Sequence, residues 1–245
     1  MTKELVLKDT FNRMHNYIRM ALTERCNLRC QYCMPIEGVK LTDEMNLLSL
    51  DERKRTLSLF NTLGMTKLRF TGGEPTISKQ LIPLIQHANT LQSIKSIGIT
   101  TNGITLSSNL DNYINAGLTN VNISLDTLDA DKFAHITKRE KAGFSKVLSS
   151  IYAAIGKKEL GSGLQSVKIN CVLIRNFNDN EIAEFVNFTK EFNVDIRFIE
   201  MMPFQGNQWD KNKLITYMEC ISLLKDKDLN LQLITEDRYI FIILL

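Results

Sequence analysis

Three cysteines lie within eight residues near the start of the chain. Cys26, Cys30 and Cys33 form a C-x3-C-x2-C pattern directly after the first predicted strand. Thiolates at this spacing on a loop can converge on one soft metal centre, and three ligands on a four-iron cube leave one iron open for chemistry. The alternative is a zinc knuckle with His15 or His87 as fourth ligand, although zinc sites more often pair two C-x2-C motifs. The pattern therefore favours an iron–sulfur cluster.

The bulk composition is that of an ordinary globular protein. Of its 245 residues, 44% are hydrophobic and 23% are charged, and the length suits one α/β domain of barrel size. A net charge of +3 without a long basic block argues against a nucleic-acid partner. Any preference for anions must therefore come from a local site.

Cysteine usage and the start of the chain bear on location. Five cysteines are an odd number and three are clustered, which favours metal binding in a reducing compartment over a disulfide framework. No apolar run reaches the length of about 18 residues that a membrane span needs. Residues 1–20 contain Glu4 and Asp9 and have neither a secretory signal core nor a transit-peptide composition. We expect an intracellular protein, cytoplasmic in a bacterium, with the mitochondrial matrix as the alternative in a eukaryote.

Predicted strands and helices alternate along the chain. The connections between strands are too long for hairpins, so the strands are expected to be parallel with right-handed crossovers. A capping box at Ser49 and Glu52 opens the first helix, and Gly64 can close it. The sequence thus predicts an α/β fold, a partial (β/α)6 parallel barrel. Its strands are expected at residues 17–23, 67–71, 96–100, 120–124, 167–173 and 195–199, and further helices at 78–88, 145–155 and 180–192.

Alternation with a period of two separates the faces of these strands. The apolar face must lie under the helices, and the opposite face is polar. A polar interior is costly unless a ligand or water satisfies it, and three cations without obvious carboxylate partners suggest a bound anion such as a phosphate. The alternative is a register slip that lets an arginine reach solvent. The residues predicted to face the interior are Arg19, Arg69, Thr100, Asn122, Ser124, Lys168 and Asn170.

Short motifs follow four of the predicted strands, at the ends where barrel enzymes keep their sites. They are Gly72-Gly73-Glu74-Pro75, Thr100-Thr101-Asn102-Gly103, Ser124-Leu125-Asp126 and Glu200-Met201-Met202-Pro203.

The cysteine pattern, with an aromatic residue before its last cysteine and a following GGEP motif, resembles the radical S-adenosylmethionine (SAM) superfamily. The resemblance implies that Cys26, Cys30 and Cys33 are ligands of a [4Fe–4S] cluster whose open iron binds SAM. It also implies further contacts to SAM from four residues, Tyr32, Gly73, Ser124 and Met202.

Within that superfamily, the sequence is similar to the MoaA-type GTP 3',8-cyclases of molybdenum cofactor biosynthesis, from about residue 11 to residue 217. The segments that carry the likeness include 22–35, 67–75, 98–103, 122–126, 197–200 and 206–209. The resemblance implies a lyase that converts GTP to 3',8-cyclo-GTP, with an electron donor and a homodimer as further partners. The residues that match the family's GTP contacts are Arg19, Arg69, Thr100 and Lys168.

The sequence departs from this family after the predicted barrel. The family binds a second cluster through a C-terminal C-x2-C motif and a further cysteine, whereas Cys171 and Cys220 are the only cysteines that follow Cys33 here. We expect Cys171 in the core and Cys220 to be inert on a helix. The apolar run 239–245 matches nothing in the family. We therefore expect a truncated chain whose SAM chemistry is intact and whose cyclisation is impaired.

The predicted organisation is an N-terminal extension over residues 1–16, the radical SAM partial barrel over 17–205 and a truncated C-terminal segment over 206–245. Two other functions stay open. One is a radical SAM enzyme with another substrate, such as a peptide. The other is a non-catalytic fragment that binds the cluster or SAM.

Overall fold

A single open sheet of six parallel strands organises the protein. The computed structural model describes residues 7–35, 37–203, 209–225, 229 and 231. Residues 206–208 of the segment 206–209 and the apolar run 239–245 therefore lie outside the described residues. The strands follow one another across the sheet in sequence order, and β1 and β6 lie at its two edges. The predicted α/β partial barrel is confirmed. The strands are β1 Tyr17–Ala21, β2 Lys67–Thr71, β3 Ser96–Thr101, β4 Asn120–Ser124, β5 Ser166–Leu173 and β6 Asp195–Glu200.

Seven α-helices accompany the strands in the described part of the chain. The predicted capping box is present, since the Ser49 side chain accepts from the N–H of Glu52 and the Glu52 side chain accepts from the Ser49 backbone. The second helix begins three residues later than predicted because Pro75–Ile77 first forms a 3-10 turn. The helices are α1 Leu50–Thr62, α2 Leu81–Asn89, α3 Leu106–Ala116, α4 Ala130–Thr137, α5 Ala142–Glu159, α6 Ile182–Glu191 and α7 Tyr217–Lys225.

The apolar face of the sheet forms the core with these helices. In β5, burial alternates along the strand, and Val167, Ile169, Cys171 and Leu173 are all buried. The core position predicted for Cys171 is therefore confirmed, and Cys220 on α7 is buried as well. Among the described residues, no helix is long and apolar enough to span a membrane.

The strand register brings the predicted interior residues into rows. Arg19 of β1 pairs with Arg69 of β2, and farther along the sheet Thr100 pairs with Asn122, which pairs with Lys168. Side chains in register on neighbouring strands point to the same face. The polar residues therefore lie on one face of the sheet, and the helices pack against the opposite face.

Candidate active site

The cysteines lie on a loop that follows β1, called here the cysteine loop (residues 22–35). The end of α4 holds this loop through its backbone. The N–H groups of Arg29 and Gln31 donate to the carbonyls of Thr137 and Ile136, each at 3.0 Å. The sheet-like contact fixes the middle of the loop without using any cysteine side chain.

Burial and neighbouring acidic groups raise the pKa values of two of the three thiols, Cys30 and Cys33. Burial raises the pKa of Cys30 well above its ordinary value, and the charge of Asp126 and the other two thiols act in the same direction. Burial also raises the pKa of Cys33, with further contributions from Cys26 and Asp126. The metal-free thiols of Cys30 and Cys33 therefore hold their protons, and a metal must displace those protons when it binds.

The candidate ligands are three free cysteine thiols on one loop, which is the donor type of an iron–sulfur cluster. In the part of the chain that the structure describes, no three His, Cys, Asp or Glu side chains are close enough to bind one metal ion. A four-iron cube takes cysteine thiolates as ligands and holds them farther apart than one ion does. His87, a candidate fourth ligand for zinc, instead lies 3.0 Å from the hydroxyl of Ser58. The zinc alternative is thus disfavoured.

The glycine pair after β2 packs backbone against backbone on the start of the cysteine loop. The N–H of Gly73 donates to the Thr23 carbonyl at 2.6 Å, and the N–H of Glu74 donates to the Arg25 carbonyl at 2.8 Å. Gly72 has a φ of 144°, and a Cβ on Gly73 would overlap the Arg25 carbonyl. Only glycine permits so close an approach.

Glu74 is a buried carboxylate that joins the ends of β2 and β3 to the cysteine loop. It accepts hydrogen bonds from the backbone and hydroxyl of Thr76 (3.0 and 2.6 Å), the hydroxyl of Thr101 (2.6 Å) and the N–H of Asn102 (2.7 Å). The Asn102 amide then donates to the side-chain oxygen of Asn27 at 2.6 Å. Buried carboxylates need such partners, and these bonds lock two motifs onto the loop.

Asp126, which sequence reasoning did not select as a site residue, holds the aromatic residue of the cysteine loop. Its carboxylate accepts from the Tyr32 hydroxyl at 2.7 Å and from the N–H of Val172 at 2.9 Å. Burial raises the pKa of Asp126 to about 6, although both hydrogen bonds oppose that rise. The Ser124-Leu125-Asp126 motif was the available signal, but nothing in it distinguished Asp126 from its neighbours.

The two arginines predicted to face the interior share one anchor. The hydroxyl of Tyr17 accepts from Nε of Arg19 at 3.1 Å and from Nε of Arg69 at 2.9 Å. Arg69 also donates to the carbonyl of Ile99 at 3.0 Å. A Cβ on Gly98 would lie 3.2 Å from the guanidinium carbon of Arg69, so the glycine leaves room for this side chain. Both arginines therefore stay on the polar face, and neither forms an ion pair among the described residues.

The expectation that the interior cations lack carboxylate partners is wrong for Lys168. Its ammonium forms an ion pair with Asp195 of β6, the residue next to it in register. The same strand supplies a cation that the sequence analysis missed, Arg197, which is in register with Asn170. Burial lowers the pKa of Arg197, as does the charge of Arg69. Extending the two-residue alternation to the sixth strand would have revealed both β6 residues.

Several buried polar atoms on this face have no hydrogen-bond partner among the described residues. They are Oδ1 of Asn122, Oδ1 of Asn170 and Nε of Arg197. Native proteins rarely leave such atoms unsatisfied, because each costs about 1–3 kcal/mol. This face is therefore suited to binding a polar ligand, which could supply the missing hydrogen-bond partners. Thr100 lies on the same face, in register with Asn122.

The residues expected to contact SAM lie at the carboxyl ends of the strands. Gly73 follows β2, Ser124 ends β4 and Met202 follows β6, where its side chain is 53% exposed. Beside them, Tyr32 and Met201 help to line a cavity of about 210 Å³. The carboxyl ends of parallel strands all lie on the same side of the sheet, which accounts for this arrangement.

Comparison with protein families identifies the fold. The model of the radical SAM superfamily matches residues 20–189. The chain belongs to the radical SAM superfamily. The cofactors expected from its motifs, a [4Fe–4S] cluster and SAM, are those of this superfamily, and the resemblance drawn from the cysteine pattern is confirmed.

Curated relatives within the superfamily share nearly half of the aligned residues. Molybdenum cofactor biosynthesis protein 1 of Dictyostelium discoideum is 47% identical over 92% of this chain and 35% of its own length. The mitochondrial GTP 3',8-cyclase of Arabidopsis thaliana is 48% identical over 87% of this chain and 53% of its own length. The chain thus spans about a third to a half of these two relatives.

Solved structures support the same fold at much lower identity. The structure of TYW1 with a lysine–pyruvate adduct matches with a TM-score of 0.65 and 21% identity, covering 94% of this chain and 80% of that one. At this identity the likeness concerns the fold alone.

The packing of Gly73 on the cysteine loop yields a test. Gly73→Ala is expected to lower the free energy of unfolding by about 1–3 kcal/mol, because the new methyl group must displace the Arg25 carbonyl. Gly156→Ala is the matched control. Gly156 lies inside α5 with no atom near its added Cβ, so this variant should gain about 0.5–1 kcal/mol. Urea unfolding measures both, and equal stabilities would contradict the close packing.

Proposed function

We propose that this chain is the radical SAM portion of a GTP 3',8-cyclase of molybdenum cofactor biosynthesis. In this proposal residues 17–205 form the catalytic barrel, residues 1–16 an N-terminal extension, and residues 206–245 a C-terminal segment. The polar face of the sheet, with its arginines and its unsatisfied buried atoms, is the single observation that carries the choice of an anionic substrate. The name of the Arabidopsis relative, a GTP 3',8-cyclase, supports GTP as that anion.

The cluster and SAM are assigned to the cysteine loop and the strand ends beside it. Cys26, Cys30 and Cys33 are the proposed cluster ligands, and the bonds that hold the loop keep the thiols together. When bound, the cluster and SAM supply a 5'-deoxyadenosyl radical. The proposed SAM contacts are Tyr32, Gly73, Ser124 and Met202.

The triphosphate is assigned to the cations of the polar face. Arg69 is positioned by Tyr17 and by the Ile99 carbonyl, so a guanidinium is already oriented before substrate binds. Such preorganisation lowers the entropic cost of fixing a substrate near the reacting groups. Lys168 is already paired with Asp195, and that carboxylate offsets part of the positive charge that Lys168 offers to a triphosphate. The proposed GTP contacts are Arg19, Arg69, Thr100 and Lys168, and we add Arg197 because it lies on the same face in register with Asn170.

Cluster assembly tests the ligand assignment. After anaerobic reconstitution the chain is expected to hold about four irons and four sulfides. Cys30→Ala should lose this iron, whereas Cys171→Ala, in the core, should retain it. Iron and sulfide analysis with absorbance spectroscopy measures the result, and stoichiometric zinc without iron would refute the assignment.

Ligand-dependent thermal stability tests the anion site. GTP at about 100 times its Kd should add about 2.7 kcal/mol to the free energy of unfolding, and guanosine should add much less. Arg69→Ala should remove most of the GTP effect, whereas Arg55→Ala, an exposed change on α1, should leave it unchanged. Equal protection of the parent and of Arg69→Ala would show that the triphosphate binds elsewhere.

Product analysis tests the reaction itself. With SAM, GTP and dithionite, the reconstituted chain is expected to release 5'-deoxyadenosine, and Cys30→Ala should release none. We expect that release to be slow and mostly uncoupled, with little or no 3',8-cyclo-GTP, because the chain has no second cysteine triplet to bind another cluster. Chromatography of both products provides the measurement. A fully assembled cluster that yields no 5'-deoxyadenosine would favour the non-catalytic alternative.

A further inference from the structure

An open basin adjoins the cysteine loop on the side of α4 and α5. Its volume is about 560 Å³. Residues of the cysteine loop, of the loop after β3, and of the α4–α5 connection line it. They include Asn27, Leu28, Ile104, Lys138, Arg139 and Lys146.

One residue that lines the basin donates a hydrogen bond to a cysteine sulfur. The N–H of Leu28 lies 3.4 Å from Sγ of Cys26, to which it donates. Nε of Arg139 donates to the carbonyl of Asn27 at 2.6 Å, so the cationic rim is tied to the residue that follows Cys26. A molecule seated in the basin would thus lie one residue away from a proposed cluster ligand.

The rim of the basin carries excess positive charge. Lys138, Arg139 and Lys146 line it and are exposed, and Glu140 is the one carboxylate among its lining residues. Lys138 is the C-cap of α4 and has a φ of 54°, a left-handed conformation that is uncommon outside glycine and that ends the helix just before Arg139. Lys141, nearby on the same connection, is already paired with Asp131.

These cations are exposed, so the basin is not a built pocket for a small anion. Exposed charges attract an oppositely charged protein over a long range and raise its rate of association. Electron-transfer complexes are small and short-lived, and a shallow charged basin suits them.

We propose that this basin is the docking site for an acidic electron-carrier protein that reduces the cluster. The inference rests on the proposed function, because it assumes a cluster on Cys26, Cys30 and Cys33. The step is a single electron transfer. The carrier is oxidised by one electron, the cluster is reduced by one, and no bond is formed or broken.

Charge reversal at two rim residues tests the proposal. Lys138→Glu/Lys146→Glu leaves Arg139 and its bond to Asn27 intact. The matched control is Arg55→Glu/Lys190→Glu, which reverses two exposed cations on α1 and α6. The probe is reduced flavodoxin, an acidic one-electron flavoprotein, mixed with the oxidised holoprotein at low ionic strength, where the Debye length exceeds about 10 Å.

We expect the rim variant to lose about tenfold or more in the second-order rate of cluster reduction by flavodoxin, as lost electrostatic steering predicts. Its rate should also depend less on salt than the rate of the parent. The control should match the parent. A second readout does not need the cluster: oxidised flavodoxin should bind the metal-free parent and control more tightly than the metal-free rim variant in a calorimetric titration.

Two results would overturn the docking site. One is equal flavodoxin rates and affinities for the two double variants. The other is an equal loss of rate with dithionite, which would reveal a general effect on anions. Failure of the proposed function looks different, since the parent would then assemble no cluster or would cleave no SAM with dithionite. If the parent cleaves SAM with dithionite and the rim variant is reduced by flavodoxin as fast as the parent, the docking site alone is refuted.

Discussion

The close contact between two backbones, Gly72-Gly73 and Thr23–Arg25, is the constraint on which the rest of the site depends. It fixes the direction in which the cysteine loop leaves β1, because the N–H groups of Gly73 and Glu74 are bonded to that loop before any cysteine is reached. The side chains then complete the restraint. Glu74 holds the loop through Asn102, and Asp126 holds it through Tyr32. Three elements of the sheet thus position the thiols, and none of these contacts depends on a metal.

The polar face shows a second constraint, which is the conflict between folding and binding. An interior of Val, Ile and Leu would stabilise a barrel. Here the corresponding surface keeps Asn122, Asn170 and Arg197 with buried atoms that lack partners among the described residues. The opposite face provides the hydrophobic stabilisation that tolerates this cost, with Phe70, Ile99 and Val121 fully buried beneath the helices. The sheet therefore separates stability from binding by face.

Much of this arrangement follows from patterns within single elements, and what was missed depends on contacts between elements. Alternation along each strand predicts the polar face. The glycine motif marks a place where another group can approach the backbone closely, and in the structure that group is the backbone of the cysteine loop. The partner of Lys168 was out of reach because Asp195 lies 27 positions away and meets it only through the β5–β6 register. Asp126 was missed for the same reason, since its bond to Tyr32 joins residues 94 positions apart. Glu181 is a further case, since its buried carboxylate accepts from Thr127 and Lys132, which lie 54 and 49 positions away.

The cysteine loop has two sides, and the structure gives them different chemical character. On the side of the strand ends, Tyr32 is bonded to Asp126 and lines a cavity of about 210 Å³ with Met201. On the side of α4 and α5, Asn27 and Leu28 meet an open basin with exposed cations. A reaction that generates a radical needs water excluded where the substrate lies, whereas a protein that delivers an electron needs an accessible surface. Leu28 lines the basin and donates its N–H to the Cys26 sulfur, so the same short loop can serve substrate chemistry on one side and electron delivery on the other.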